Sequence, residues 1–356
     1  MLRASPPRQV GHKIAQLLTR SWRESVVPLP PASELTAEEL GVIWPLVVRS
    51  GAIGLLWRRT RAERPDCADS IEAIKQCYRQ QVLDSRRYEQ AAERVIGALQ
   101  AAGIQPLLFK GWAIARHYPG PGLRSYTDID IAVSAQEHHR AQSVIGQLSK
   151  LPINIDLHVG VPHSKGRDPA AIERRRRRAA LGSVEVDVLG PEDHLRLLCL
   201  HMLIHGAWRT IWLCDIALVL EQSEQGFDWD YLLSGDRRDN AAVLRAIGLA
   251  HHLLGASLPQ PVEHAKPLPR WLLDGVLEQW GRGYRPHPMM VELPKTPLAL
   301  FRAARERWPN PIAATASLHA PYNDLPRLPF QITDYVLRTV KLLRKVSARR
   351  LQMYSF

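Results

Sequence analysis

Thr127-Asp128-Ile129-Asp130-Ile131-Ala132-Val133 and, further along, Ile153-Asn154-Ile155-Asp156-Leu157-His158-Val159 alternate polar with apolar side chains. A strand sends successive side chains to opposite faces. Asp128 and Asp130 therefore share one face, and Ile129, Ile131 and Val133 share the other, which can enter a core. In the second segment Ile153, Ile155, Leu157 and Val159 are expected to face the core, and Asn154, Asp156 and His158 the other way. If the two strands are neighbours, Asp156 approaches Asp128 and Asp130. Carboxylates crowded on one face repel each other unless a cation joins them, and their oxygens suit Mg²⁺ or Mn²⁺. Three of them form the arrangement that holds two ions and clamps the attacking and leaving oxygens of a phosphoryl transfer. Asp-x-Asp alone is common and also fits an exposed polar strand face.

The surrounding segments supply a sheet. Ile104 to Phe109 is a short apolar run that reads as a buried strand. Gly111 to Tyr118 reads as a short helix, and Pro119-Gly120-Pro121-Gly122 as a loop. Ser134 is an expected N-cap for a helix over Ala135 to Leu148. Val184 to Leu189 alternates once more, with Glu185 and Asp187 on one face. Strands interleaved with helices in so short a span define a small α/β sheet. Lys110-Gly111 falls where a strand gives way to a helix. Glycine lets a backbone approach a phosphate closely, and lysine adds a point charge suited to a triphosphate. Arg124 is a second candidate phosphate ligand, with surface solvation as the alternative.

The flanks are helical. Glu38 to Val48, despite Pro45, and Ile71 to Leu99 carry apolar residues at helical spacing. The period returns over His194 to Gly206 and Trp212 to Gln222, and again from about Ile332 to Arg350. Pro259 to Pro329 is rich in proline and has no clear period. The expected organisation is a helical region over 1–100, an α/β core over 101–190 and a helical region over 191–356.

The 356 residues carry 47 Lys and Arg against 35 Asp and Glu, a formal charge of +12. That surplus favours anionic partners, although 38 of the cations are Arg, as a GC-rich genome would also give. Cys67, Cys77, Cys199 and Cys214 form no Cys-x-x-Cys pair and are too few for a disulfide scaffold. No uncharged apolar run approaches the roughly 18 residues that span a membrane, and the N-terminus has no secretory pattern. The expected compartment is the cytoplasm. No P-loop, dinucleotide-binding glycine motif or Gly-x-Ser-x-Gly elbow occurs.

Three further features have competing readings. His201 and His205 share a helix face and could bind a metal with Asp215, pack a core, or line a base pocket. The five arginines Arg174 to Arg178 suit either a polyanion such as tRNA or a solvated surface. The C-terminal helix is basic and amphipathic, fit for a membrane surface, a nucleic acid or its own domain.

Leu107 to Gly111, Tyr118 to Arg124 and Thr127 to Asp130 together resemble the uncharacterised nucleotidyltransferase family of the DNA polymerase β-like superfamily. They are more distantly similar to the AbiEii-type toxin nucleotidyltransferases. The resemblance continues through Ile155 to His158, Leu189 to Leu195, His201, His205, Asp215 and Arg307 to Pro311, so it covers roughly 30–340. It implies an α+β fold, with a small polymerase β-like α/β core between helical regions. It also implies transfer of a nucleoside monophosphate from ATP or another NTP to a hydroxyl on RNA, a protein or a small metabolite. Asp128, Asp130 and Asp156 would bind Mg²⁺ or Mn²⁺, while Lys110, Gly111 and Arg124 would hold the triphosphate. Asp156 matches the family better than Asp187, the reserve for the third carboxylate. Lys110-Gly111 stands where typical superfamily members have a Gly-Ser pair. The alternatives are a nucleotide-binding or RNA-binding module without catalysis, and a protein held to RNA or membrane by its arginines.

Overall fold

A computed structural model describes residues 6–24, 35–61, 67–148, 150–223, 226–258, 262, 267–283, 296, 305 and 307–353, with side chains as far as 341. Most of the proline-rich stretch from 259 to 306 therefore lies outside the described residues, as do the side chains of Arg344, Lys345, Arg349 and Arg350.

Among the described residues the chain opens with helices α1 (Pro7–Leu18), α2 (Ala37–Arg49), α3 (Ile53–Thr60) and α4 (Ala68–Ala101). Helix α2 runs through Pro45 and begins with a capping box, in which Thr36 and Glu39 satisfy each other's backbone N–H. The α/β segment follows: β1 (Leu107–Phe109), α5 (Gly111–Ala115), β2 (Asp128–Val133), α6 (His138–Gln147), β3 (Asn154–Val159), α7 (Pro169–Arg174), β4 (Arg177–Leu181) and β5 (Val184–Val188). The rest is helical: α8 (Pro191–Ile204), α9 (Thr210–Glu221), α10 (Trp229–Leu232), α11 (Arg237–Leu254), α12 (Arg270–Arg282), α13 (Pro311–Ser317) and α14 (Leu328–Met353). The expected α+β class is the one observed.

The strands form one mixed sheet in the order β3-β2-β1-β5-β4. β2 runs parallel to β3 and antiparallel to β1, β1 runs parallel to β5, and β5 pairs antiparallel with β4. Parallel neighbours need a crossover, and α6 supplies it between β2 and β3. One face of the sheet is apolar. Leu108, Ile129, Ile131, Val133, Val186 and Val188 bury themselves against Ala91, Val95, Ile96 and Leu99 of α4 and Ala141 of α6. Each such burial contributes about 1.5–3 kcal/mol, which fixes the register and turns the intervening carboxylates to the opposite face. A second core joins Ile14 and Leu18 of α1, Ile43 of α2 and Ile74 of α4 to Leu203, Ile216, Ile247 and Val276 from the C-terminal helices. The two ends of the chain thus share one helical core, and α4 belongs to both cores.

Some boundaries differ from the sequence reading. β1 begins at Leu107 rather than Ile104, because Pro106 offers no N–H to a ladder. Helix α5 ends at Ala115, short of Tyr118, as Pro119 disfavours helix in the residue before it. Ser134 and Glu137 do form reciprocal capping contacts, but around a turn, and the helix starts at His138. β4 is a strand that the arginine run concealed. Its Ala179 and Leu181 are buried on the apolar face.

Candidate active site

The parallel pairing of β2 and β3 sets Asp128 opposite Asn154 and Asp130 opposite Asp156, with His158 one register position further along the same face. Asp130, Asp156 and His158 present ligating atoms that all lie within 4.8 Å of one another. Asp130, which lines the cleft, is 2% exposed; Asp156, on the edge strand β3 and outside the cleft lining, is 56% exposed, and Val159, expected to face the core, is 58% exposed at the same edge. The His158 Nε2 atom bridges the carboxylates, at 3.3 Å from Asp130 and 3.1 Å from Asp156. The hydrogen bond to Asp130 raises the His158 pKa, outweighing the effect of partial burial. Burial, followed by repulsion from Asp130, raises that of Asp128.

Lys110 supplies the nearest cation. Its Nζ is 2.6 Å from Asp130 Oδ1. The residue sits between β1 and α5 at φ 55°, ψ −145°, a conformation costly for a side-chain-bearing residue. The buried imidazole of His194 holds that turn, because its Nε2 accepts the Lys110 N–H at 3.0 Å. Burial pushes the His194 pKa down to about 3, so the ring stays neutral and can accept. Gly111 continues the turn at φ 28°, and a Cβ there would stand 3.2 Å from the Asp128 carbonyl oxygen.

Arg124 is placed differently from the sequence expectation. Its guanidinium is buried and donates to Asp215, with Nη2 2.8 Å from Oδ2 and Nε 3.2 Å from both oxygens. Asp215, fully buried, also accepts from the Tyr118 hydroxyl at 2.8 Å. Arg124 thus borders the cleft as part of a buried ion pair. With Asp215 engaged there, it forms no metal set with His201 and His205. Those two rings lie 4.4 Å apart on the cleft wall, packed against Trp212. Burial pushes the His201 pKa well below its ordinary value.

Arg209 is the cation that sequence reading missed. It follows Trp208 just before α9, borders the same cleft, and feels the charge of Asp128. Its Nε is buried without a hydrogen-bond partner, and burial beside Arg124 pushes its pKa down to about 10. No local motif marks it, because its neighbours come from a remote segment.

Asp187 lies on the same sheet face but on β5, opposite Leu107, where Arg176 and Arg178 flank it at 3.8 and 3.6 Å. It is outside the Asp130 cluster. The arginine run is likewise engaged with acids. Arg174 meets Asp168, and Arg175 meets Glu192 and Asp228 while stacking on Tyr231. Arg176 meets Glu173, and Arg178 meets Glu185.

The cleft has a volume of about 1170 Å³. Its floor is Lys110, Gly111, Asp128 and Asp130. One wall is the His201 to Trp212 segment, and the other comes from α12, Arg305, residues 307–311 and α14. All four cysteines are unpaired, and among the described residues no helix is long and apolar enough to cross a membrane.

A strand carrying Asp-x-Asp, a parallel partner strand with a third carboxylate and a Lys-Gly turn thus meet on one face of the sheet. A family model described as an uncharacterised nucleotidyltransferase matches residues 36–149 and 147–256, and the chain belongs to that family. Nucleotidyl transfer is accordingly its class of reaction. No curated protein and no solved structure matches the chain.

Proposed function

We propose that this protein transfers a nucleoside monophosphate from an NTP to a hydroxyl acceptor, dependent on Mg²⁺ or Mn²⁺. The register that sets Asp130 beside Asp156, with Asp128 two residues away on the same face, carries this reading. The donor set fits a divalent cation. Burial, and then the neighbouring Asp130 charge, raise the Asp128 pKa, and Asp130 already draws a lysine ammonium to 2.6 Å. Asp128, Asp130 and Asp156 would hold the metal, with His158 bridging two of them. Bound there, divalent ions supply charge neutralisation at the phosphate oxygens and acidify the attacking hydroxyl.

The chain's own groups do the rest. Lys110, the Gly111 backbone and Arg209 orient the triphosphate, Arg209 taking the role that sequence reading gave to Arg124. Arg124 positions the loop leading into β2 by holding Asp215. Asp156, the exposed member of the cluster, accepts the proton of the attacking hydroxyl. The new bond forms between that oxygen and the α-phosphorus, and the bond from the α-phosphorus to the bridging oxygen breaks. Pyrophosphate leaves, its charge balanced by Lys110 and Arg209. Fixed cations aimed at developing charge are the main source of rate in such transfers.

The test is label transfer. Purified protein with Mg²⁺ and each α-labelled NTP is offered RNA, protein and small-molecule fractions of a cell extract. Label moving into one fraction with the wild type, and not with Asp128→Asn, supports the reading. NTP binding without turnover on any fraction would favour a nucleotide-binding module instead.

A further inference from the structure

We infer that the cleft wall formed by residues 305–339 is the acceptor subsite, and that it takes the end of a single-stranded nucleic acid. The inference rests on the nucleotidyl-transfer reading and names its acceptor class.

Space is the first observation. At about 1170 Å³ the cleft exceeds the roughly 300–1,000 Å³ that takes one drug-sized ligand. A triphosphate on Lys110, Gly111 and Arg209 therefore leaves the opposite wall unfilled.

Charge is the second. That wall carries Arg282, Arg305, Arg307 and Arg338. Glu278 pairs with Arg282, and Asp334 with Arg338. Arg305 and Arg307 have no acid within ion-pair distance among the described residues. Two such guanidiniums in a cleft suit phosphates, and they are separate from the Arg209 that faces the triphosphate. The other arginine cluster, Arg174 to Arg178, is largely matched with acids and offers no comparable surplus.

Aromatic surface is the third. Trp308 is 44% exposed although it borders the cleft. Its ring centre is 5.7 Å from that of Tyr335, tilted by 31°. The pair is anchored on both sides. Gln331 donates to the Pro309 carbonyl at 2.7 Å, and Asn310 donates to the Gly206 carbonyl at 3.1 Å while capping α13. An exposed, fixed ring between arginines is a stacking platform for bases along a phosphate backbone. A protein acceptor would need neither feature.

The test uses the full chain and a fluorescein-labelled ten-nucleotide single-stranded RNA bearing a 3′-hydroxyl, read by anisotropy across a salt series. Inorganic polyphosphate and the α-labelled NTPs are parallel probes. Arg305→Gln/Arg307→Gln should weaken RNA binding at least tenfold and flatten the log–log salt slope by about 1.4, at roughly 0.7 per phosphate contact. Trp308→Ala should weaken RNA about tenfold, in line with the loss of one base stack, yet leave polyphosphate binding unchanged, and Trp308→Tyr should recover most of the loss. NTP binding and thermal melting should hold in all three variants. RNA affinity unmoved by these substitutions, or NTP binding without RNA binding, overturns the acceptor assignment and leaves nucleotidyl transfer standing. A wild-type chain that binds no NTP overturns the underlying reading and this one with it.

Discussion

The ammonium of Lys110 rests 2.6 Å from Asp130, on the carboxylate that also belongs to the Asp130–Asp156–His158 cluster. One side chain therefore faces two tasks. It neutralises Asp130 when no other cation is present, and it is the nearest lysine for a triphosphate. A divalent ion and the ammonium compete for the same oxygen. Lys110→Met should bind Mn²⁺ about fivefold more tightly, since a close charge contact of about 1 kcal/mol is worth that factor. Nucleotidyl transfer by the same variant should fall at least tenfold. A Mn²⁺ titration followed by electron paramagnetic resonance gives the first number and the label-transfer assay the second. Unchanged Mn²⁺ affinity would separate Lys110 from the metal cluster.

Asp128 and Asp130 should part company in stability although both abolish transfer when changed to Asn. The folded state raises the Asp128 pKa, so its carboxylate form is disfavoured on folding. Above that raised pKa the charge destabilises the fold; below it the penalty shrinks as pH falls, and it is gone only below the ordinary carboxylate value of the unfolded chain. Asp128→Asn should melt at or above the wild-type temperature at pH 8, with the gap closing as pH falls into the acid range. Asp130→Asn should melt lower, because Lys110 and His158 lose the partner they share. Calorimetry of both variants at pH 8 and pH 5 checks this, and equal melts for the two at pH 8 would contradict it.

Arg124 is separable from the phosphate-binding groups by the same kind of measurement. Breaking a buried ion pair by removing one partner costs about 3–5 kcal/mol. Asp215 has no exposure, and Tyr118 would be its sole remaining side-chain donor among the described residues. Arg124→Ala should therefore lower the unfolding free energy by about that amount, and Arg124→Met/Asp215→Leu should recover most of it. A direct triphosphate ligand would instead lose NTP affinity at unchanged stability. Chemical denaturation alongside NTP binding distinguishes the two.

The balance between what sequence pattern revealed and what it hid follows from range. Alternation over Thr127–Val133 and Ile153–Val159 is a local consequence of strand geometry. It predicts both the buried set Ile129, Ile131 and Val133 and the polar face with Asp128, Asp130 and Asp156. Partnerships across the chain leave no such trace. Arg124 meets Asp215 91 residues away, and the Lys110 N–H meets His194 84 residues away. Arg209 reaches the cleft only because α9 packs behind it. β4 is hidden for another reason: it opens with two arginines, Arg177 opposite Val188 and Arg178 opposite Asp187, and Arg178 pairs with both Asp187 and Glu185. His158 was legible as a third polar position on β3, but spacing alone does not reveal that it bridges two carboxylates.

The His194 contact with the Lys110 backbone gives the protein an acid limit. A histidine in an unfolded chain titrates near pH 6.5, whereas burial holds His194 at about 3. Between those values the unfolded chain binds a proton that the folded one refuses, so stability falls as pH falls. The slope is at most about 1.4 kcal/mol per pH unit for this one group. Protonation would also turn Nε2 from acceptor to donor, against the N–H of a residue held at φ 55°. His194→Gln keeps an acceptor within reach of the turn but has no proton to gain. Its unfolding free energy should decline less steeply between pH 7 and pH 5 than that of the wild type. His117, held at about 4 largely by burial, and His163, His201, His205 and His252, whose pKa values burial also lowers, leave a residual slope in the variant. His194→Phe should also lose the His194 part of the acid slope, but it leaves the Lys110 N–H unpaired and should lower transfer activity at pH 7.5. Denaturant titrations at half-unit pH steps measure the slopes. Parallel declines for the wild type and the glutamine variant would remove His194 as the source of the acid limit.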